Sequence, residues 1–207
     1  MKDICCIGHI TRDKIITPSQ SVSMSGGTAF YMAYGINNLP HDIAFQLVTK
    51  VGPESHEEVD RMRQAGIDVV CYDSAKSVYF ENRYGIDSNQ RTQRVLAKAD
   101  PFTIEEVLPL EAKVFHLGSL LADDFLVEVV KALAEKGRIS IDVQGYLREV
   151  RGEKVYAIKW KAMEEILAYT DILKLNEHEL EMITNSTDQR TVALQLASYG
   201  RREGVIT

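Results

Sequence analysis

No apolar run in the 207-residue chain approaches the ~20 residues of a membrane-spanning helix; stretches such as Ile4 to Ile7 fall far short. The opening Met1-Lys2-Asp3-Ile4 lacks the apolar stretch and small-residue cleavage site of a signal peptide. Cysteine is scarce. Cys5, Cys6 and Cys71 form no C-x-x-C, and the adjacent pair points to opposite faces of any strand, so buried thiols in a reducing cytoplasm are expected. Five scattered histidines have no metal-ligand spacing, and no direct metal site is expected. Positive charge is also short. Lys plus Arg is 24 against 30 for Asp plus Glu, a net charge of −6. Nucleic acid is therefore a poor partner, because its phosphates need a basic face. Small anions remain open, since a few local donors can hold them.

What is present reads as a globular α/β chain. Apolar residues are 45% and charged residues 26%, which argues against disorder and supplies a real core. Ile4-Cys5-Cys6-Ile7 is a buried strand. Thr28 to Leu39 reads as a helix with Ala29, Met32, Ala33 and Ile36 on one face. Ile43 to Val51 is a strand, Glu57 to Ala65 a helix closed by Gly66, and Asp68 to Tyr72 a strand. After position 100, Thr103 and Glu106 have capping-box spacing. Val114 to Leu117 is a strand, Asp124 to Lys136 a helix, Ile139 to Asp142 a strand, Trp160 to Tyr169 a helix, Ile172 to Leu175 a strand and Thr191 to Tyr199 a helix. Alternation of this kind calls for parallel strands with crossover helices. The expected fold is a three-layer α/β/α Rossmann-like body with a mainly parallel central sheet, as one domain over 1–207. Lys14 to Met24 and Val78 to Ala97, the latter turning at Asp87-Ser88-Asn89, break the pattern and read as strands of a small β-sheet lid. Two unrelated surface hairpins are the plainer alternative. The chain closes on Gly204-Val205-Ile206-Thr207, the start of another strand, so a longer protein is expected.

Four segments could carry chemistry. Asp13 follows the first strand, where ligands of α/β sheets sit, and a carboxylate there can accept from vicinal hydroxyls. Ser25-Gly26-Gly27-Thr28 precedes a helix, and its glycines let backbone approach a ligand beside the positive helix end. Asn176 and Glu179 follow a strand. They fit either an ordinary capping box or a carboxylate acting through the water shell of magnesium. Gln144 stands at another strand's carboxyl end, and Arg148 nearby could meet a phosphate or remain a surface arginine. There is no G-x-G-x-x-G and no Gly-Lys-Ser/Thr, which argues against dinucleotide and Walker-type binding.

In order and spacing these pieces, with Lys50-Val51-Gly52, Ala65-Gly66-Ile67-Asp68, Asp142-Val143-Gln144-Gly145 and Asn176-Glu177-His178-Glu179, resemble the ribokinase-like (PfkB) family of carbohydrate kinases over the whole 207 residues. The resemblance implies transfer of the γ-phosphoryl group of ATP, with Mg2+, to a hydroxyl of a small sugar or polyol, often by a dimer joined through the lid. A nucleoside kinase of the same family and a non-catalytic sugar-binding protein on the same scaffold are the alternatives. By this likeness Asp13, Gly26, Gly27 and Thr28 hold the acceptor, Asn176 and Glu179 organise nucleotide and magnesium, and Gln144 and Arg148 contact substrate or phosphate. The family's Gly-Ala-Gly-Asp-like segment, which supplies the catalytic base, has no counterpart here, so the base is expected beyond Thr207 and a chain of 207 residues is expected to be nearly inactive. Thr28 and Tyr31 stand where ribose-specific members carry lysine and asparagine, which points to another sugar, a polyol such as inositol, or a nucleoside.

Overall fold

The computed structural model describes residues 1–40, 42–87, 91–184, 188 and 203–207. In chain order its elements begin with β1 (Lys2–Ile7), β2 (Thr11–Ile16), β3 (Ser21–Gly26), α1 (Thr28–Asn37), β4 (Phe45–Val51), α2 (His56–Gln64) and β5 (Val69–Asp73). There follow β6 (Val78–Tyr84), β7 (Arg91–Ala97), α3 (Ile104–Val107), β8 (Ala112–Leu117), α4 (Val127–Ala134) and β9 (Arg138–Asp142). The last are β10 (Arg148–Arg151), β11 (Lys154–Ala157), α5 (Met163–Ala168), β12 (Ile172–Leu175), α6 (Glu177–Thr184) and β13 (Glu203–Ile206). The anticipated helix at Thr191 to Tyr199 and the Ser88-Asn89 turn lie outside the described residues. The chain divides into two compact units, one of Met1–Cys5, Pro101–Glu149 and Ala157–Thr207, the other of Cys6–Asp100 and Val150–Tyr156.

The first unit is a parallel sheet with crossover helices. Its strands lie in the order β13-β12-β9-β8-β1. The pairs β8 with β9, β9 with β12, and β12 with β13 all run parallel. Parallel strands need a crossover, and α4 and α5 provide two of them. Phe115, Leu117, Ile139, Ile141, Leu173 and Leu175 are fully buried along these strands, as short apolar runs covered on both faces should be. Phe102 and Phe125 stack at 5.1 Å. Two helices begin later than the sequence predicts. Asp124 does not open α4; its carboxylate accepts from the amides of Leu120 and Leu121 at 2.7 and 3.0 Å and closes the preceding turn. Trp160 precedes α5 and stacks on Tyr146 at 4.6 Å. Thr103 and Glu106 form the anticipated capping box at α3.

The second unit joins an α/β piece to a β-sheet. In the α/β piece β4 and β5 run parallel, and α1 and α2 contribute Ala29, Ala33, Val59 and Met62 to a core with Cys6, Ile10, Leu47 and Val51. In the β-sheet β2 pairs antiparallel with β3 and parallel with β6, and β6 pairs antiparallel with β7. Both anticipated lid segments are therefore strands of one sheet. Residues 148–151 and 154–157 extend it, for β11 pairs with β7 and with β10 through a turn at Gly152 (φ +62°). On one face Glu81, 4% exposed, is surrounded by Arg83 (2.9 Å), Arg94 (3.3 Å) and Lys14 (3.6 Å), a cross-strand staple over β2, β6 and β7. The Arg83 hydrogen bond, with the charges of Lys14 and Arg94, holds the Glu81 carboxyl below the usual range against burial.

Candidate functional site

Asp13 is placed by the way the chain leaves β1. Gly8 N donates to Val48 O at 3.0 Å, His9 Nδ1 lies 3.2 Å from Lys50 O, and Ile10 N donates to Thr49 Oγ1 at 3.1 Å. These contacts run along β4 and fix where β2 begins. Thr11 and Gly26 are opposed in the β2–β3 hairpin, so the sheet itself brings Asp13 to the glycine pair.

The two glycines have separate reasons to be glycine. A Cβ at Gly26 would lie 2.5 Å from Asp13 Oδ2 and 3.1 Å from Thr11 Oγ1. Its absence leaves room over the carboxylate. Gly27 has φ +96°, and a Cβ there would come within 2.7 Å of His9 O; this position is a backbone requirement of the turn into α1. Tyr31 N then donates to Gly27 O at 3.1 Å and Thr28 opens the helix. The other oxygen of Asp13 accepts from Thr11 Oγ1 at 2.8 Å. Burial pushes the Asp13 carboxyl above its ordinary range, against the lowering effects of that hydrogen bond and of the Arg91 charge. A half-buried carboxylate with one oxygen fixed and the other beside a missing side chain can accept hydroxyl hydrogens.

A network that the sequence did not reveal holds the residue before the glycines. Ser25 Oγ donates to Glu58 Oε2 at 2.6 Å, and Arg61 reaches the same oxygen at 2.7 Å and Glu57 at 2.7 Å. Burial pushes the Glu58 carboxyl up, but the Arg61 and Ser25 bonds outweigh it and hold it low. The only hint in the sequence was acidic residues in the first turn of α2, a pattern that helix dipoles favour anyway. A cavity of about 370 Å³ is lined by Arg12, Asp13, Ser25, Glu58, Arg61 and Tyr79 among others. Register places Arg12 opposite Ser25 and Tyr79, and Asp13 opposite Met24 and Phe80. Successive side chains point to opposite faces, so this cavity belongs mainly to the face away from the Asp13 carboxylate.

In the first unit the carboxyl ends of β9 and β12 gather the other anticipated residues. Asn176 Oδ1 accepts from Glu179 N at 2.8 Å while Glu179 Oε2 accepts from Asn176 N at 2.9 Å. This is a reciprocal capping box, and it leaves Glu179 with one further oxygen, Oε1. Asp142, 2% exposed, accepts from Lys174 Nζ at 3.1 Å. Lys174 was missed; its signal was a lone lysine inside the apolar run Ile172-Leu173-Lys174-Leu175. Gln144 lies in a short 3-10 helix, Val143–Leu147, and its backbone amide donates to Asp142 Oδ1 at 3.3 Å. Arg148 opens β10, its carbonyl accepting from Ala122 N at 3.0 Å. Among the described residues no group of three or more His, Cys, Asp or Glu is arranged to hold a metal ion.

Comparison with known proteins gives this arrangement its class. The profile of the pfkB family carbohydrate kinases matches residues 1–207. The chain belongs to the pfkB family of carbohydrate kinases. A sulfate complex of a pyrophosphate-dependent kinase in the ribokinase family is similar at 27% identity and TM-score 0.89, over 99% of this chain and 72% of that one. A pyrophosphate-dependent kinase of the ribokinase family, complexed with a pyrophosphate analogue and myo-inositol, is similar at 26% identity and TM-score 0.87 over the same shares. Ribokinase from Arabidopsis thaliana, complexed with ribose and ATP, shares the fold at 15% identity and TM-score 0.70, over 99% of this chain and 71% of that one. No curated protein matched the chain. The family makes it a carbohydrate kinase.

Proposed function

We propose that the complete protein phosphorylates a hydroxyl of a small neutral sugar or polyol. One observation carries this reading: the second oxygen of the Asp13 carboxylate faces the space that glycine leaves at position 26. The carboxylate accepts two hydroxyl hydrogens there, and Gly27 and Thr28 bring the start of α1 beside the acceptor. The hydroxyl oxygen then attacks the terminal phosphorus of the donor, the bond to the leaving phosphate breaks, and the hydroxyl proton passes to a base. Positioning and charge stabilisation supply most of such a reaction's rate. The base, which contributes roughly 10²–10⁴-fold, belongs to the Gly-Ala-Gly-Asp-like segment that residues 1–207 lack, so a polypeptide ending at Thr207 turns over poorly.

On the donor side Glu179 is fitted to a water-mediated contact with hydrated magnesium. Its Oε2 is committed to the helix cap, and magnesium keeps most of its waters when bound to phosphates. Gln144 and Arg148 take part as contacts to substrate or phosphate. ATP is the ordinary donor of this reading. Pyrophosphate is a second donor, favoured by the two pyrophosphate-dependent kinases of 26–27% identity. A cytoplasmic homodimer joined through the lid belongs to the same proposal; Val22 and Met24 of edge strand β3 are 44% and 43% exposed and available for it. The test is a matrix of ATP and pyrophosphate against sugars, polyols and nucleosides, with the full-length protein and a version ending at Thr207. Polyol or sugar phosphorylation by the full-length protein alone is expected. Exclusive nucleoside turnover defeats the acceptor assignment, and robust turnover by the short form defeats the assignment of the base.

A further inference from the structure

The cavity of about 370 Å³ beside the start of α2 lies mainly on the sheet face away from the Asp13 carboxylate, and the reaction does not use it. Arg12 lines it, opposed to Ser25 on β3 and to Tyr79 on β6. The Arg12 guanidinium sits over the Tyr79 ring, 5.0 Å from its centroid. Stacking of this kind steadies the guanidinium plane and leaves its N–H edge open to a planar acceptor. Glu54, Glu57 and Glu58 line the same cavity, yet among the described residues no carboxylate pairs with Arg12.

Each of those carboxylates is engaged elsewhere. Glu54 accepts from Ser77 N at 2.7 Å. Glu57 Oε1 accepts from Arg61 at 2.7 Å, and Glu58 Oε2 accepts from Arg61 at 2.7 Å and from Ser25 at 2.6 Å. Arg61 is neutralised by these bonds. The other oxygens, Glu57 Oε2 and Glu58 Oε1, accept from no described residue. One open guanidinium therefore faces two carboxylates with acceptor capacity to spare. Opposed residues on paired strands have Cβ atoms about 4.5–5.5 Å apart, and Ser25, opposed to Arg12, touches Glu58. Both charges are within the span of one small molecule. A simple anion here meets the carboxylates and a simple cation meets Arg12, so each is repelled by one wall. A molecule that carries both charges is attracted by both.

We propose that this cavity is a second binding site, for a small zwitterion of the α-amino acid class. The carboxylate of the ligand takes the Arg12 guanidinium edge in a bidentate pair, and its ammonium donates to Glu57 and Glu58. The volume agrees, since small-molecule sites run from roughly 300 to 1,000 Å³ and this one, at about 370 Å³, has room for a single amino acid. Arg12 and Ser25 directly precede Asp13 and Gly26 in the chain. A ligand held there bears on the acceptor hairpin from its far side. The inference goes beyond the acceptor reading and stands without it.

The test is calorimetric titration of the full-length protein, without acceptor or donor, by the proteinogenic α-amino acids one at a time. Each amino acid that binds is followed by the amine and the carboxylic acid that lack one of its two charges. At least one amino acid binds with a Kd of about 1 mM or tighter, and its amine and acid bind about tenfold more weakly or worse. Arg12→Gln and Glu57→Gln each weaken the amino acid about tenfold, the loss of one charge-assisted contact. Both side chains are exposed, so neither substitution disturbs the core, and a melting curve on each variant checks this. Absence of any amino-acid binding at that level overturns the proposal. So does an amine or an acid that binds as tightly as its parent, and so does binding that survives both substitutions. An amino acid displaced by saturating myo-inositol occupies the acceptor site instead, which defeats this inference and leaves the acceptor reading standing.

Discussion

Two carboxylates, Asp13 in the second unit and Glu179 in the first, stood out in the same sequence for similar reasons, and the structure treats them differently. Glu179 is closed into a reciprocal bond with Asn176, both distances below 3 Å. Asp13 has one oxygen tied to Thr11 and the other beside a glycine, and its burial raises the cost of its charge. A capping carboxylate is explained by the helix it starts. A half-buried carboxylate that is only partly satisfied costs stability, and that cost needs a use. Asp13 is thus the better candidate for a functional carboxylate, whereas the Asn176 bond already accounts for Glu179 Oε2.

The largest effect should fall on Asp13. Asp13→Ala in the full-length protein should lower acceptor kcat/KM by about 100-fold or more, since hydrogen bonds to a charged group contribute roughly 1.5–3 kcal/mol each. Thermal denaturation of the same variant should show little loss. A large fall in melting temperature with unchanged kcat/KM would erase the contrast. The glycines come next. Gly27→Ala should destabilise the protein by roughly 2–3 kcal/mol, because alanine is strained at φ +96° and meets the His9 carbonyl. Gly26→Ala should instead weaken acceptor binding about tenfold with a smaller stability change, as its Cβ displaces the Asp13 carboxylate by at least one hydrogen bond's worth of contact. Denaturant titration and acceptor KM, measured on both variants, separate the two roles.

The capping residues should respond more weakly. Asn176→Ala should cost about 1 kcal/mol of stability, the ordinary value of an N-cap, read from the denaturant midpoint. A loss of activity greater than that stability change would mark a role beyond capping. The smallest effect concerns pH. The folded Asp13 carboxyl titrates above its ordinary value, so its contribution to stability is fully present below the unfolded pKa and is lost as pH rises through the folded one. Asp13→Asn should therefore melt slightly higher than the unsubstituted protein at pH 7. The advantage should shrink as the solution is acidified towards and below the ordinary carboxylate range. A gain that grew on acidification would contradict the assigned burial.

Much of the architecture was legible because it follows from pattern. Ile172 to Leu175 reads as a strand from its apolar run and is β12 to the residue. The Thr103 capping box and the Gly66 helix stop follow from local chemistry. What sequence could not give depends on partners far away in the chain. Arg148–Arg151 and Lys154–Ala157 are polar and short, and only pairing makes them strands, Lys154–Ala157 with β7 and Arg148–Arg151 with Lys154–Ala157. Asp124 has good helix-start chemistry but is taken by a turn. At the site, Asp13, Gly26 and Gly27 were visible as types in order. The Ser25–Glu58–Arg61 network was not, because serine and glutamate are unremarkable until the fold brings them together.

The central claim is that the Asp13 carboxylate binds the hydroxyls of the acceptor above Gly26. A crystal structure of the full-length protein with bound polyol tests it directly. The account predicts two hydroxyl oxygens about 2.5–3.2 Å from the Asp13 carboxylate, with the polyol ring over the bare α-carbon of Gly26. A polyol bound elsewhere, with the Asp13 carboxylate touching only Thr11, would contradict it.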